Sequence, residues 1–170
     1  YYGGMGARHV ATVQPSVPLP QSQPTCVVEN PTRCADCGNW VVSASWNVPT
    51  SAVSGIYIAR LVREDPEDGR ASHIIFVVRD DDSHSQLLFQ TSDATWAAYN
   101  LYPNFSLYTN PRAFKASYSR PLVSRTGRPW DTVFNAEYPM LRWLERNGYD
   151  VSYTTNLDGD RRGAEILEHL

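Results

Sequence analysis

From Leu87 onward the sequence switches between two periods, and that switch limits the folds open to it. LLFQ (87–90) is a short, continuously apolar run that reads as a buried strand. TVFNAEYPMLRWLERNG (132–148) reads as a helix, with Val133, Phe134, Met140, Leu141 and Leu144 on its expected buried face. Gly148 stands where a C′ glycine belongs, and Pro139 permits a fresh helix start or a kink. YDVSYTT (149–155) is a further strand and GDRRGAEILEHL (159–170) the start of a further helix. Strand, loop, helix, strand, helix is the opening of a parallel α/β domain. Ligands in such sheets bind beyond the carboxyl ends of the strands. Two of those ends are QTSDATWAAYN and TTNLD, which puts Asp93, Asn100 and Asp158 on one expected rim. There they could orient water, although capping and turn formation are the plainer roles. Ser92 or Asp93 is expected to cap a helical turn.

The first half has a different rhythm. WVVSASW alternates, with Trp40, Val42, Ala44 and Trp46 on one face. GIYIARLV (55–62) and HIIFVV (73–78) read as a hairpin around the turn-like EDPEDGR. With a cut strand around Arg8–Val13, these segments are expected to form one side of a β-sandwich. Residues 14–38 are an irregular, Pro-rich connection, and Asp80–Asp82 a solvated turn. The expected fold is therefore mixed: a β-sandwich portion over 1–84, then the beginning of a parallel α/β domain over 85–170. Residues 103–131 are expected as a long loop with at most a short strand around Ala113–Tyr118. The chain opens YYGGMGARHV without an initiator Met and ends AEILEHL within an expected helix. We therefore expect an internal piece of a larger protein, completed by further chain segments or by homo-oligomer contacts.

A formal net charge of −3 gives no basic footprint, which argues against a nucleic-acid partner. No apolar run approaches the length of a membrane span. Cys26, Cys34 and Cys37 lie within twelve residues. CADC invites a zinc or redox reading, but an all-cysteine zinc site needs a second pair, and nothing marks His9 as a fourth ligand. A local disulfide is expected, Cys26–Cys37, leaving Cys34 unpaired. It favours an extracellular or cell-surface setting over a cytoplasmic one. Glu137 and Glu145 share a helix face and are expected to be solvated. His73, His84, Ser43 and Ser45 have no partner at a spacing that suggests catalysis.

TWAAYNLYPNFSLY (95–108) places rings at Trp96, Tyr99, Tyr102, Phe105 and Tyr108. A step of three drifts around an α-helix, and Pro103 breaks any helix through the middle. A short helical turn followed by a loop is expected, with Trp96 and Phe105 packed inward. The break at Pro103 lets Tyr99 and Tyr108 converge, although a phenol with a pKa of about 10 is a poor ligand unless a strongly charged cation lowers it.

Several segments follow one another in a known order: CGNWVVSASWNVPTSAVSGIYIARLVR, HIIFVVRDD, LLFQTSDATWAAYN, SLY, YSRPL and EYPMLRWLERNGYDVSYTTNLD. This ordered set resembles the large (β) subunit of N,N-dimethylformamidase and its bacterial relatives, over nearly the whole chain. The opening YYGGMGAR is similar to a strand end in that family's β-sandwich region. The resemblance implies a glutamine-amidotransferase-like α/β domain and amide hydrolysis, the dimethylformamidase itself yielding dimethylamine and formate. It also implies a mononuclear ferric iron held by two tyrosines and a glutamate, acting on a small amide substrate. Carried onto this sequence, the tyrosines are Tyr99 of TWAAYN and Tyr108 of SLY, closer together here than in dimethylformamidase. The glutamate belongs to a GHDEYW-like segment after the next strand, a segment that these 170 residues do not contain. The competing expectation is a non-catalytic, secreted β-sandwich binding or structural protein with a degenerate α/β domain.

Overall fold

The computed structural model describes residues 6–63, 71–124 and 133–168. Three two-stranded sheets organise them. Strands β1 (Val27–Glu29) and β2 (Cys34–Asp36) form a small antiparallel hairpin inside the irregular segment. Strands β3 (Gly55–Val62) and β4 (Ala71–Val78) pair antiparallel in full register, Gly55 opposite Val78. Their connector, the expected EDPEDGR turn, lies outside the described residues, as do the first five residues of YYGGMGAR. Strands β5 (Leu87–Gln90) and β6 (Val151–Thr154) pair in parallel, Leu87 opposite Val151. Between them run helix α1 (Asp93–Tyr99), a long loop, a π-helical turn (Val133–Glu137) and helix α2 (Tyr138–Arg146). Helix α3 (Asn156–Glu168) follows β6. The described elements are a mixed α/β fold built on small sheets. No described helix is long and apolar enough to cross a membrane.

The parallel pair and the hairpin share one core. Trp96, Val133, Leu141 and Tyr153 are buried together, and Ile56, Ile75, Val77 and Phe89 pack against them. Trp96 thus packs inward as expected, and Phe105 is half-buried. The expected helix over 132–148 divides at Glu137, with Pro139 in the first turn of α2, where its missing N–H costs nothing. Gly148 takes the positive φ (75°) of a C′ glycine. Met140, expected on the buried face, is exposed.

Two expected strands are absent, and none forms around Ala113–Tyr118, where at most a short one is expected. Residues 40–46, 8–13 and 113–118 are irregular. Alternation supplies a face, but a strand also needs a neighbour with backbone donors. The segment beside residues 40–46 carries Pro15, Pro18, Pro20 and Pro24, which have none. Side chains substitute for a ladder: the Gln23 amide accepts from Val41 N (3.0 Å) and donates to Val41 O (3.2 Å). Trp40 and Trp46 are half-buried, while Val42 is exposed. Trp46 covers Tyr57 and Phe76 on the hairpin. Residues 8–13 pair with no strand among the described residues and are exposed. Residues 113–118 dock onto β1–β2 through isolated bonds, Phe114 N to Thr32 O (2.8 Å) and Ser117 Oγ to Asp36 Oδ2 (2.5 Å).

Candidate functional site

Two clusters flank the short helix α1. At its start, Asp93 is buried and its carboxylate is fully engaged. Oδ1 accepts from Thr91 Oγ1 (2.8 Å) and Asn156 N (2.6 Å), and Oδ2 from the Tyr118 hydroxyl (2.9 Å). One carboxylate thereby ties the end of β5, the start of α3 and the 118 loop together. Burial, followed by the hydrogen bond to Asp93 and its charge, pushes the Tyr118 pKa up to about 12.

Ser92 occupies the N-cap position, but its side chain does not cap the helix. Its hydroxyl and its N–H (2.6 Å) both donate to Glu137 Oε1. Glu137, expected on a solvated face, is instead buried by the π-helical turn, with Oε2 unpartnered among the described residues. Glu145 is also engaged, accepting from the Tyr153 hydroxyl (2.7 Å).

Asp158 and Asn100 are likewise spent on structure. Thr155 Oγ1 accepts from Asp158 N (3.0 Å) in the manner of an N-cap and donates to Asp158 Oδ2 (2.6 Å). Asp158 Oδ1 pairs with Arg79. Asn100, buried, donates to Pro121 O (2.8 Å) and accepts from Val123 N (3.0 Å). The three residues expected on a rim do lie near α1 and the strand ends, but their polar atoms face protein.

The other end of α1 is different. After Tyr102–Pro103 the chain doubles back, and Leu107 N donates to Ala98 O (3.1 Å). Ser106, buried, accepts from Tyr108 N at Oγ (3.1 Å) and from Ala113 N at its carbonyl (2.8 Å). The outcome is that the Tyr99 and Tyr108 rings stack, with centroids 4.3 Å apart and planes 16° from parallel. Both are exposed, 39% and 66%. Neither hydroxyl has a hydrogen-bond partner among the described residues, so both phenol oxygens are available.

The β1–β2 hairpin supports this turn. Cys26 and Cys37 form the expected disulfide, and Cys34 is free and buried. The Cys26 sulfur touches the Tyr102 hydroxyl (3.6 Å), and Trp40 meets the Tyr102 ring edge-on. An open cleft of about 390 Å³ lies between the hairpin and residues 115–118, and neither stacked tyrosine lines it.

A sequence model of the family described as N,N-dimethylformamidase beta subunit-like, C-terminal, matches residues 1–170. The chain belongs to this family. No curated protein shows significant similarity to it. No group of three His, Cys, Asp or Glu side chains suited to a metal occurs among the described residues. The carboxylate closest to Tyr99 in sequence, Asp93, already accepts three hydrogen bonds.

Proposed function

We propose that this chain contributes two phenolate ligands, Tyr99 and Tyr108, to the mononuclear iron site of a metal-dependent amide hydrolase resembling N,N-dimethylformamidase. Support comes from one observation above all: two exposed phenols stacked at 4.3 Å with unpartnered hydroxyls, in a member of this family. The third ligand is the glutamate of a segment outside these residues. A ferric ion held there would supply Lewis acidity toward a small amide. Tyr99 and Tyr108 would hold the cation and offset two of its charges. Asp93, Asn100 and Ser106 fix the backbone that presents the pair, so that little rearrangement accompanies binding.

In the same reading, β3–β4 belong to a larger β-sandwich, and β5, β6 and the helices begin a glutamine-amidotransferase-like sheet. The parallel β5–β6 pairing supports the second part. The disulfide favours an oxidising, extracellular or cell-surface compartment.

The test is metal analysis and formamide hydrolysis with the full-length protein. Stoichiometric iron and a tyrosinate-to-iron visible absorption band are expected. Tyr99→Phe and Tyr108→Phe should each weaken and shift the band, the double variant should lose it, and each single change should lower kcat by at least about a hundredfold. Iron-free protein, or unchanged activity in both variants, would support the non-catalytic binding protein instead.

A further inference from the structure

We propose that Arg120 is a positioning residue for the Tyr99–Tyr108 pair, a role whose chemical consequence rests on the ligand reading above. Its guanidinium grips both shoulders of the Tyr99 segment. Nη2 donates to Ala97 O (2.7 Å) in the last turn of α1, and Nη1 donates to Tyr102 O (2.5 Å) beyond the turn. Nε donates to Ser117 O (3.1 Å) and so anchors the fork on the segment docked against the disulfide hairpin. Helix-end carbonyls have no intrahelical donors, and the helix C-terminus favours a cation. Ala98 O is taken by Leu107 N, which brings Tyr108 back over the helix. Ala97 O is taken by Arg120, which holds the helix end against the turn.

A rigid planar fork can span the two carbonyls that flank residues 98–101; an ammonium is a single point. Arg120 is half-buried, and burial lowers its pKa from the usual guanidinium value while the nearby Cys34 sulfur opposes that shift. It stays cationic at any working pH. Its three bonds go to helix-end and loop carbonyls, none to the buried cluster of Trp96, Val133, Leu141 and Tyr153. Loss of the clamp should therefore loosen the tyrosine pair and leave the core standing.

Photo-oxidation with a ruthenium complex and persulfate couples tyrosines in contact, and peptide mass spectrometry locates the crosslink. The wild-type full-length protein should give a Tyr99–Tyr108 crosslink that Tyr99→Phe abolishes. Arg120→Gln should lower its yield about tenfold with the far-ultraviolet circular dichroism retained. Arg120→Lys keeps the charge without the fork and should recover only part of the yield. Should Arg120→Gln fail to fold, the folded Arg120→Lys protein decides: a wild-type crosslink yield there overturns the proposal. A wild-type yield in folded Arg120→Gln overturns it as well. Iron content reads out separately. A crosslink that falls in a protein without iron keeps the clamp and removes the ligand role.

Discussion

The two ends of helix α1 put similar polar residues to opposite uses. At the start, Ser92, Asp93 and Glu137 are turned inward and bonded to one another's backbone or to neighbouring loops. At the other end Tyr99 and, stacked on it, Tyr108 are exposed, with hydroxyls unpartnered among the described residues. A buried carboxylate that already accepts three hydrogen bonds has little capacity left for a ligand. An exposed phenol with no partner has all of it. Availability, not polarity or proximity to a strand end, separates the candidate ligands from the framework.

The sharpest way to break this contrast is to truncate one group at each end. Asp93→Ala leaves the Thr91 and Tyr118 hydroxyls and the Asn156 N–H without their acceptor, and should cost about 4 kcal/mol of stability. Tyr99→Phe and Tyr108→Phe remove unpartnered hydroxyls and should change stability by less than about 0.5 kcal/mol. Urea denaturation of the three variants measures both effects. Equal losses at the two ends would show that the tyrosines are framework too.

Next in size is the disulfide. Opening Cys26–Cys37, with its sequence separation of 11, should cost about 3 kcal/mol through the freedom returned to the unfolded chain. The loss should not be even. The hairpin props Tyr102 and the 113–119 segment, with Cys37 N donating to Ser119 O (2.6 Å), whereas the Asp93 cluster sits on the parallel strands. In the Cys26→Ser/Cys37→Ser protein, amide exchange should therefore accelerate at residues 100–110 before it does at β5 and β6. Exchange that rises equally at both ends would remove the distinction between a propped turn and a self-supporting framework.

What the sequence shows of this molecule divides along similar lines. The β3–β4 hairpin, the β5 and β6 strands, the Gly148 helix stop and the Cys26–Cys37 pair all rest on short-range signals. The hairpin, the glycine and the disulfide are satisfied locally, whereas β5 and β6, each legible as a short apolar run, find each other across 64 residues. The 40–46 strand failed because its alternation says nothing about whether the neighbour has N–H groups to offer, and a Pro-rich neighbour does not. Asp93 looks like a cap in TSDAT, yet its partners Tyr118 and Asn156 are 25 and 63 residues away. Glu137 looks solvated until the π-helical turn rotates it inward. Arg120 carries no local signal, since its value lies in the distance between two carbonyls. The stacking of Tyr99 on Tyr108 was partly legible, because Pro103 had to break the helix that would have kept them apart.

A smaller effect is expected at Tyr118, half-exposed on its loop, whose hydroxyl donates to Asp93 at the start of α1. Its pKa, pushed up to about 12 by burial and then by the neighbouring carboxylate, lies above the ordinary value of about 10. A tyrosine whose folded pKa is raised adds stability that is fully present below the unfolded value. That stability is lost as pH climbs through the folded value. The wild-type protein should accordingly lose part of its stability between about pH 10 and pH 12, as unfolding lets Tyr118 ionise. Tyr118→Phe removes this titration together with the hydrogen bond, costing about 1 kcal/mol at neutral pH. The gap between variant and wild type should then narrow across the same window in urea titrations at a series of pH values. Parallel curves through that window would mean that the Asp93 carboxylate does not hold the phenol in the folded protein. The inward-facing cluster would then extend no further than Thr91 and Asn156.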